Sequence, residues 1–440
     1  MKKELEIIKI LQNKGYQAFF IGGCTRDKLL GLEPKDYDIV TNAKPNKIKQ
    51  IFKDRKLSHV GEQFKVMLVD GIEVATFRGE RYDIIGKPVC NYVETLKEDC
   101  SRRDFTINAI AYDPFKDEYF DYFGGQSHIQ HKLIKFVGKP SERIKEDPVR
   151  ILRAFRFASI LNFEIEDSSL KELLKKSGSK KRIKSIPKER INKEIIKSIK
   201  NLKQFCIYLD KTGILGTVFP CLKKIKYLDG GEHHNETVYE HCLDTCSYIS
   251  SKYPIVKMAG LLHDVGKSKF QIKNDKLIFH NHEKYSCSYA KQTLLNLKFS
   301  NEFIDKVCNI IKLHMWHIMP TSKDKAIRRW LVALENDNVN YKDILRLKIA
   351  DRKANRKKRL KKLSYWKTIL KRINEVKNYI PAFSVKDLNI NGNDIMKLIG
   401  LKKGHKIIGF ILQELFNAVL DDKVENNKED LLSFIRKNLI

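Results

Sequence analysis

Residues 22–40 read Gly-Gly-Cys-Thr-Arg-Asp-Lys-Leu-Leu-Gly-Leu-Glu-Pro-Lys-Asp-Tyr-Asp-Ile-Val. A Gly-Gly turn opens a short amphipathic helix, and two aspartates one residue apart then precede an apolar pair. Glycines let backbone N–H groups approach a phosphate, and a helix N-terminus adds partial positive charge. Asp36 and Asp38 lie two apart in a strand-like run, so both carboxylates are expected to project from one face. Two hard oxygen ligands on one face suit Mg²⁺, which takes its remaining ligands from phosphates and water. A lone Gly-Gly is usually a turn, and a lone Asp-x-Asp is usually a solvated strand end. Their combination within twenty residues, with Arg26 and Asp27 between, points instead to a phosphorylated ligand, with Gly22, Gly23 and Arg26 on the nucleotide side.

The net charge of +31, from 85 Lys+Arg against 54 Asp+Glu, calls for a polyanionic partner, and nucleic acid is the default. The nine cysteines contain no Cys-x-x-Cys pair, which argues for reduced thiols. Glu4, Glu6 and Lys9 interrupt any apolar signal core, and no stretch reaches the ~18–20 apolar residues of a membrane span. The chain reads as soluble and cytoplasmic, with no membrane partner.

Strand-like runs at 16–21, 65–69, 72–77 and 134–136 alternate with helix-like ones such as 5–14 and 45–52, which gives a mixed α/β head. After Gly138 strand signals largely vanish. Residues 146–228 and 233–352 read as helices, broken at Asp229-Gly230-Gly231. A very basic helix is expected from Arg352 to Arg372, Pro381 breaks it off, and the segment from Leu388 is helical. The expected domains are 1–138, 139–230, 231–351 and 352–440.

Two further motifs lie in the first half. Ser101-Arg-Arg-Asp-Phe-Thr-Ile-Asn places Arg102, Arg103 and Asp104 before an apolar run, read as helical, that includes Asn108. In Glu146-Asp-Pro-Val-Arg150, Asp147 and Arg150 would share a face if helical. Cytosine and adenine both present an amino donor beside a ring-nitrogen acceptor. Asp147 can accept from the first while Arg150 donates to the second. Uracil and guanine reverse that order and would leave polar groups unpaired, which a hydrogen-bonding site rejects strongly. Arg153 and Arg156 continue the stripe and suit phosphates. Glu73, on a neighbouring strand-like run, is either a third carboxylate or, as it rather reads, a surface strand residue. Asp121 with Gly124-Gly125 is either a further site element or an ordinary turn.

These motifs, in this order, resemble the polymerase-β-like nucleotidyltransferases, and residues 18–230 resemble the class II tRNA nucleotidyltransferases that include bacterial poly(A) polymerases. The resemblance implies an α/β nucleotidyltransferase head followed by all-α neck, HD and tail domains. It implies Mg²⁺ at Asp36 and Asp38 as the catalytic pair, Arg103 and Asp104 on the ribose, Asn108 in the nucleotide site, and CTP and ATP as substrates. The implied activity is template-independent addition of CMP and AMP to a tRNA 3′ end. A poly(A) polymerase or an A-adding-only enzyme is the alternative. Residues 78–99 depart from the Asp/Gly/Arg-rich loop that helps this family switch from C to A, so CCA, CC-only and A-only addition all stay open.

The second half carries His241, His263-Asp264, His282, His314 and Asp351. This pattern resembles the HD phosphohydrolase superfamily. It implies His241, His263, Asp264 and Asp351 as metal ligands, with His282 and His314 matching the extra positions of binuclear members. Imidazole mixed with carboxylate suits a divalent transition metal better than Mg²⁺. Lys267 would contact phosphate, and His233, His234 and His280 read as solvated. The site is either a phosphohydrolase acting on RNA ends or nucleotides, or a structural remnant. The Lys-rich stretch 171–203, the 352–372 helix and the segment Leu398–Gly404 offer charge and N–H groups for tRNA phosphates, with Gly404 equally a helix cap.

Overall fold

The computed structural model describes residues 1–59, 65–174, 176–274, 276–401 and 403–439. Lys175 of the Lys-rich stretch and Lys402 of the tail motif lie outside the described residues. The chain divides into two compact units, Met1–Pro220 and Cys221–Ile440.

In the first unit the order is α1 (Lys2–Asn13), β1 (Ala18–Ile21), α2 (Gly23–Leu29), β2 (Asp38–Thr41), α3 (Pro45–Ile51), β3 (Leu57–His59), β4 (Val66–Val69), β5 (Ile72–Thr76), β6 (Arg78–Ile84), β7 (Lys87–Tyr92), α4 (Leu96–Ser101), β8 (Ile110–Asp113), β9 (Glu118–Asp121), α5 (Gly125–Gln130), β10 (Leu133–Ile134), α6 (Pro140–Glu146), α7 (Val149–Leu161), β11 (Glu164–Ile165), α8 (Asp167–Leu173), α9 (Lys176–Lys184), α10 (Lys188–Lys197), α11 (Leu202–Lys211) and α12 (Leu215–Val218). Among the described residues seven strands form one sheet in the order β3-β4-β5-β2-β1-β8-β9. It is mixed: β2 runs parallel to β5, and β1 lies antiparallel to both β2 and β8. Both faces are covered. Phe20 and Ile39 pack with Ile7, Leu11 and Phe52 on one side, while Phe19, Ile21 and Val40 pack with Phe77, Leu96 and Ala111 on the other. Period-2 alternation of apolar residues toward two cores is what a central strand requires.

Three local expectations change. The apolar run after Asp104 is not a helix; it makes one 3₁₀ turn at Thr106–Asn108 and continues as β8, whose four residues are all buried beside β1. Tertiary burial of Ile110 and Tyr112 overrides helix propensity there. Residues 78–84 and 87–92, inside the segment that departs from the family loop, form a two-stranded hairpin. β2 begins only at Asp38, so Asp36 sits on its irregular approach rather than in the strand.

Among its described residues the second unit, entered through α13 (Pro220–Lys224), is helical except for one small hairpin: α14 (Val238–Tyr248), α15 (Pro254–Leu262), β12 (Gln271–Lys273), β13 (Lys276–Ile278), α16 (His282–Asn296), α17 (Asn301–Leu313), α18 (Asp324–Asn336), α19 (Tyr341–Ala354), α20 (Leu363–Lys377), α21 (Gly392–Ile399), α22 (Lys406–Leu420) and α23 (Lys428–Asn438). Thr237 and Glu240 close a reciprocal capping box that starts α14. The basic run 352–372 is not one helix. α19 ends at Ala354, where Asn355 Oδ1 accepts the N–H groups of Lys357 and Lys358, and α20 starts at Leu363. That Asn turn competes with helix continuation through a block of like charges. A separate apolar cluster, with Ile395, Leu415, Val419 and Leu431 at its centre, holds α21, α22 and α23 together. Among the described residues no helix is long and apolar enough to cross a membrane.

Candidate active site and metal centre

In the first unit the Gly-Gly turn stands where β1 hands over to α2. Gly22 has φ +85°, a conformation glycine adopts without steric cost, and a Cβ there would lie 3.3 Å from Arg103 Nη1 and 3.7 Å from Asp38 Oδ2. Asp38 faces this turn because it pairs with Ile21, the last residue of β1. Glu73 precedes Val74, whose partner across β2–β5 is Ile39, so a third carboxylate comes beside Asp38. Lost solvation and the charge of Asp36 push the Asp38 pKa up, while the Arg103 guanidinium pulls it down. Glu73 is raised by its own lost solvation and then by Asp38 and Asp36. Mutual repulsion of three oxygen donors at one sheet end is the electrostatic condition that a hard divalent cation relieves, and this donor set fits Mg²⁺. Glu73 is exposed on β5, as a surface strand residue would be, yet it lies close enough to the two aspartates to feel their charge.

Behind these carboxylates lies a buried polar network. Asp104 accepts from Arg153 Nε at 2.7 Å, from Asn108 Nδ2 at 3.1 Å and from the Phe105 N–H at 2.8 Å. Burial works against the charge, but Arg153 and these donors hold its pKa at about 2. Asn108 in turn accepts from Arg26 Nη1 at 2.7 Å, and Arg26 also grips Asp27. Arg156 Nε lies 2.7 Å from Glu194, and Arg26, Arg153 and Arg156 all lie over the Phe157 ring. Arg153 and Arg156 are each paired with a protein carboxylate. Asp121 accepts the N–H groups of Phe123, Gly125 and Gln126 and so closes the turn into α5.

Asp147 and Arg150 do not share a helix face, because Asp147 ends α6 and Pro148 opens α7. Both are buried; the Arg150 N–H donates to the Asp147 carbonyl at 3.1 Å, while their side chains pair with other residues. Asp147 takes Arg190 Nη2 at 2.5 Å. Arg150 donates to Glu146 and to the Arg143 carbonyl, and more loosely to Tyr82 Oη at 3.3 Å and the Arg102 carbonyl at 3.2 Å. The tip of the β6–β7 hairpin reaches the same place: the Gly86 N–H donates to the Glu146 carbonyl at 2.8 Å, and Arg190 donates to the Gly86 carbonyl. Tyr82 and Arg190 were not singled out from sequence. Arg190 sits inside a Lys-rich stretch where one more cation carries no signal.

In the second unit the spacing over more than a hundred residues closes into one cluster. Nδ1 of His263, His282 and His314 faces the carbonyls of Gly260, Phe279 and Ile311 at 2.9, 3.0 and 2.5 Å. A carbonyl only accepts, so each Nδ1 carries a proton and each Nε2 is turned toward the cluster. His241 is held likewise by Glu236 at 3.1 Å, and its Nε2 meets Asp351 at 2.9 Å. Asp264 stands between, 3.2 Å from His282, 3.4 Å from His263 and 3.8 Å from His314. Among the described residues, the buried Nε2 atoms of His263 and His282 have no hydrogen-bond partner. Leaving such atoms orphaned is costly unless a metal takes them, so the donor set fits a divalent transition metal.

Burial drives His314 down to about 3, whereas the bonds to Asp351 and Glu236 outweigh burial and lift His241 to about 9. Glu236 was not anticipated. It orients His241, and it also holds His234 at 2.8 Å, so His234 is an ordered part of the site and not a solvated loop residue. A cavity of about 600 Å³ opens onto the cluster and is lined by Lys267, Arg352, Lys358, Lys361, Tyr365 and Trp366.

The model of the poly(A) polymerase head domain matches residues 18–135, and that of tRNA nucleotidyltransferase domain 2 matches residues 278–435. The chain is 30% identical to the CCA-adding enzyme of Ligilactobacillus salivarius over 450 aligned residues, covering 100% of this chain and 96% of that one. It is 34% identical to poly(A) polymerase I of Haemophilus influenzae over 238 residues, a match that spans half of this chain and 52% of that protein. Among solved structures, the Bacillus stearothermophilus CCA-adding enzyme in complex with CTP shares the fold, with a TM-score of 0.73 at 23% identity over 99% of this chain and 96% of that one. A relative matched from end to end, and a head whose sheet brings the Gly-Gly turn against Asp38, together make this chain a member of the CCA-adding enzyme family of tRNA nucleotidyltransferases.

Proposed function

We propose that the protein adds CMP and AMP, from CTP and ATP, to the 3′ end of tRNA. The observation that carries this reading is Asp38 set against the Gly22 turn with Arg103 beside it, within the electrostatic reach of Asp36 and Glu73. Asp36 and Asp38 would hold Mg²⁺, with Glu73 in support; the ion supplies charge neutralisation for the attacking 3′-hydroxyl and the triphosphate. The left-handed turn at Gly22 leaves room for phosphate oxygens beside backbone N–H groups. Asp104, held by Arg153 and Asn108, would take a ribose hydroxyl together with Arg103.

Asp147 and Arg150 act as the base-reading pair. The base would displace the two long contacts of Arg150, to Tyr82 and to the Arg102 carbonyl, and keep the short ones that orient it. Such fixed donors and acceptors favour cytosine and adenine and leave uracil and guanine unpaired. The positive surplus favours tRNA as the acceptor.

The test is incubation with tRNA lacking CCA and each labelled triphosphate, with product length resolved. Arrest at CCA is expected. Long A tails would make it a poly(A) polymerase, and product only on tRNA ending in CC would make it an A-adding specialist. Asp36→Ala or Asp38→Ala should lower incorporation by about 10³-fold or more, as expected when charge neutralisation worth several kcal/mol is lost.

A second activity is favoured by the orphaned imidazole nitrogens and the cationic cavity beside them. His241, His263, Asp264 and Asp351, with His282 and His314, would hold a divalent transition metal that activates water toward a terminal or cyclic phosphate of an RNA end. Lys267, 2.7 Å from Asp264, would bind that phosphate. Phosphate release by the wild type with added Mn²⁺ or Ni²⁺, lost in His263→Ala/Asp264→Ala while nucleotide addition persists, is the expected result. Metal binding without any release would leave the site structural.

A further inference from the structure

α16 and α17 form an antiparallel helical hairpin, joined by only Leu297, Lys298, Phe299 and Ser300. Two pairs of residues face each other across it. His282 and His314 meet at its open end, with ring centroids 5.4 Å apart. Cys287 and Cys308 meet closer to the turn, about 8 Å along the helices at 1.5 Å rise per residue. The Cys308 thiol donates to the Cys287 carbonyl at 3.6 Å, so its sulfur stands against the Cys287 backbone. The nucleotide-addition and metal-site readings use neither thiol.

The environments of the two sulfurs differ in the way a reactive and a resolving thiol differ. Cys287 is half-buried, while Cys308 is buried. The adjacent Cys308 thiol, then the positive charge of Lys291 and Lys312, favour the Cys287 thiolate, so its pKa falls below the ordinary cysteine value. Cys24, Cys90, Cys100, Cys221 and Cys242 are all pushed the other way by burial. A partly accessible thiolate near cations is the form that reacts with peroxides.

We propose that Cys287 and Cys308 form a peroxide-sensitive dithiol that reversibly cross-links α16 to α17. The Cys287 thiolate attacks one oxygen of hydrogen peroxide, which breaks the O–O bond, forms a sulfenic acid and expels hydroxide. The Cys308 sulfur, deprotonated as it attacks, then displaces a second hydroxide from that sulfenic acid and forms the S–S bond. The two thiol protons end on the two hydroxides as water, so two thiols and one peroxide yield one disulfide and two waters. A thiol reductant reverses it. The link clamps the hairpin that carries His282 and His314, so it restrains the metal cluster without touching a ligand.

The test uses the full chain, reduced, freed of reductant and titrated with hydrogen peroxide, with peptide mass mapping under non-reducing conditions. The Cys287–Cys308 link should appear at least about ten-fold faster than modification of any other cysteine, and dithiothreitol should remove it. Cys308→Ala should stop at a sulfenic acid on Cys287 that dimedone traps, and Cys287→Ser should give neither product. Amide exchange across residues 282–314 should slow in the oxidised wild type. A link between other cysteines, no link at all, or dimedone labelling of Cys308→Ala at sites other than Cys287 overturns the proposal.

Discussion

Asp104 shows how one buried carboxylate ties a binding surface to stability. Its pKa stands near 2 in the folded chain, below the ordinary aspartate value of 3.8, so its charged form stabilises the fold. That contribution is complete above the unfolded pKa and is lost as pH falls through about 2. Arg153→Met removes the largest favourable partner and leaves a buried charge held only by Asn108 and one N–H. The variant should lose about 2–3 kcal/mol at neutral pH. Its acid unfolding midpoint, followed by circular dichroism, should move to higher pH. Arg190 belongs to the same scale. Its guanidinium is the one cation within bonding reach of Asp147 among the described residues, and it leaves the other carboxylate oxygen for the Val149 N–H. Arg190→Ala should free Asp147 to rotate, and discrimination against UTP should fall about 10- to 100-fold, the value of one charge-assisted hydrogen bond. Comparing kcat/KM for CTP, ATP and UTP checks this, and unchanged ratios would remove Arg190 from base selection.

Elements place these residues through a few tight contacts. At Gly266, in the 3₁₀ turn after α15, a Cβ would lie 2.2 Å from the His282 carbonyl and 2.4 Å from the Ser286 nitrogen. The turn carrying Asp264 and the start of α16 carrying His282 thus touch backbone to backbone. Gly266→Ala must push them apart. The expected cost is at least about 1–3 kcal/mol from overpacking. It should appear as a lower Tm together with weaker Mn²⁺ binding by calorimetry. A variant with normal Tm and normal binding would show that the two elements have slack. The β6–β7 hairpin is the corresponding device in the first unit, since it delivers Tyr82 and the Gly86 backbone to the residues around Asp147 and Arg150.

At the scale of the whole molecule, the two candidate sites lie in separate compact units, and the charge of +31 belongs to the chain as a whole. Each phosphate neutralised by Lys or Arg releases counterions, so log K for tRNA should fall linearly with log salt, by about 0.7–0.9 per contact. With 6–10 contacts, affinity should drop about 10³- to 10⁵-fold between 50 and 200 mM salt. Filter binding across that range measures the slope. A slope near zero would mean the positive surplus is not an RNA surface.

The sequence alone determined the mixed α/β head, the helical remainder and the family, because those signals are local: a turn that needs glycine, carboxylates two apart, and apolar residues alternating along strands. It also singled out the six residues of the histidine–aspartate cluster, since His-Asp in one run is unusual enough to be noticed. What it misread were places where packing overrules a local pattern. The apolar run after Asp104 became β8 because a vacant position beside β1 buried it, and the basic run at 352–372 broke at Asn355. What it could not contain were partners distant in the chain. Arg190 reaches Asp147 from 43 residues away, Glu236 orients His241, and Cys287 meets Cys308 across a hairpin. A side chain's partner is chosen by where the backbone brings it, and only the tertiary structure decides that.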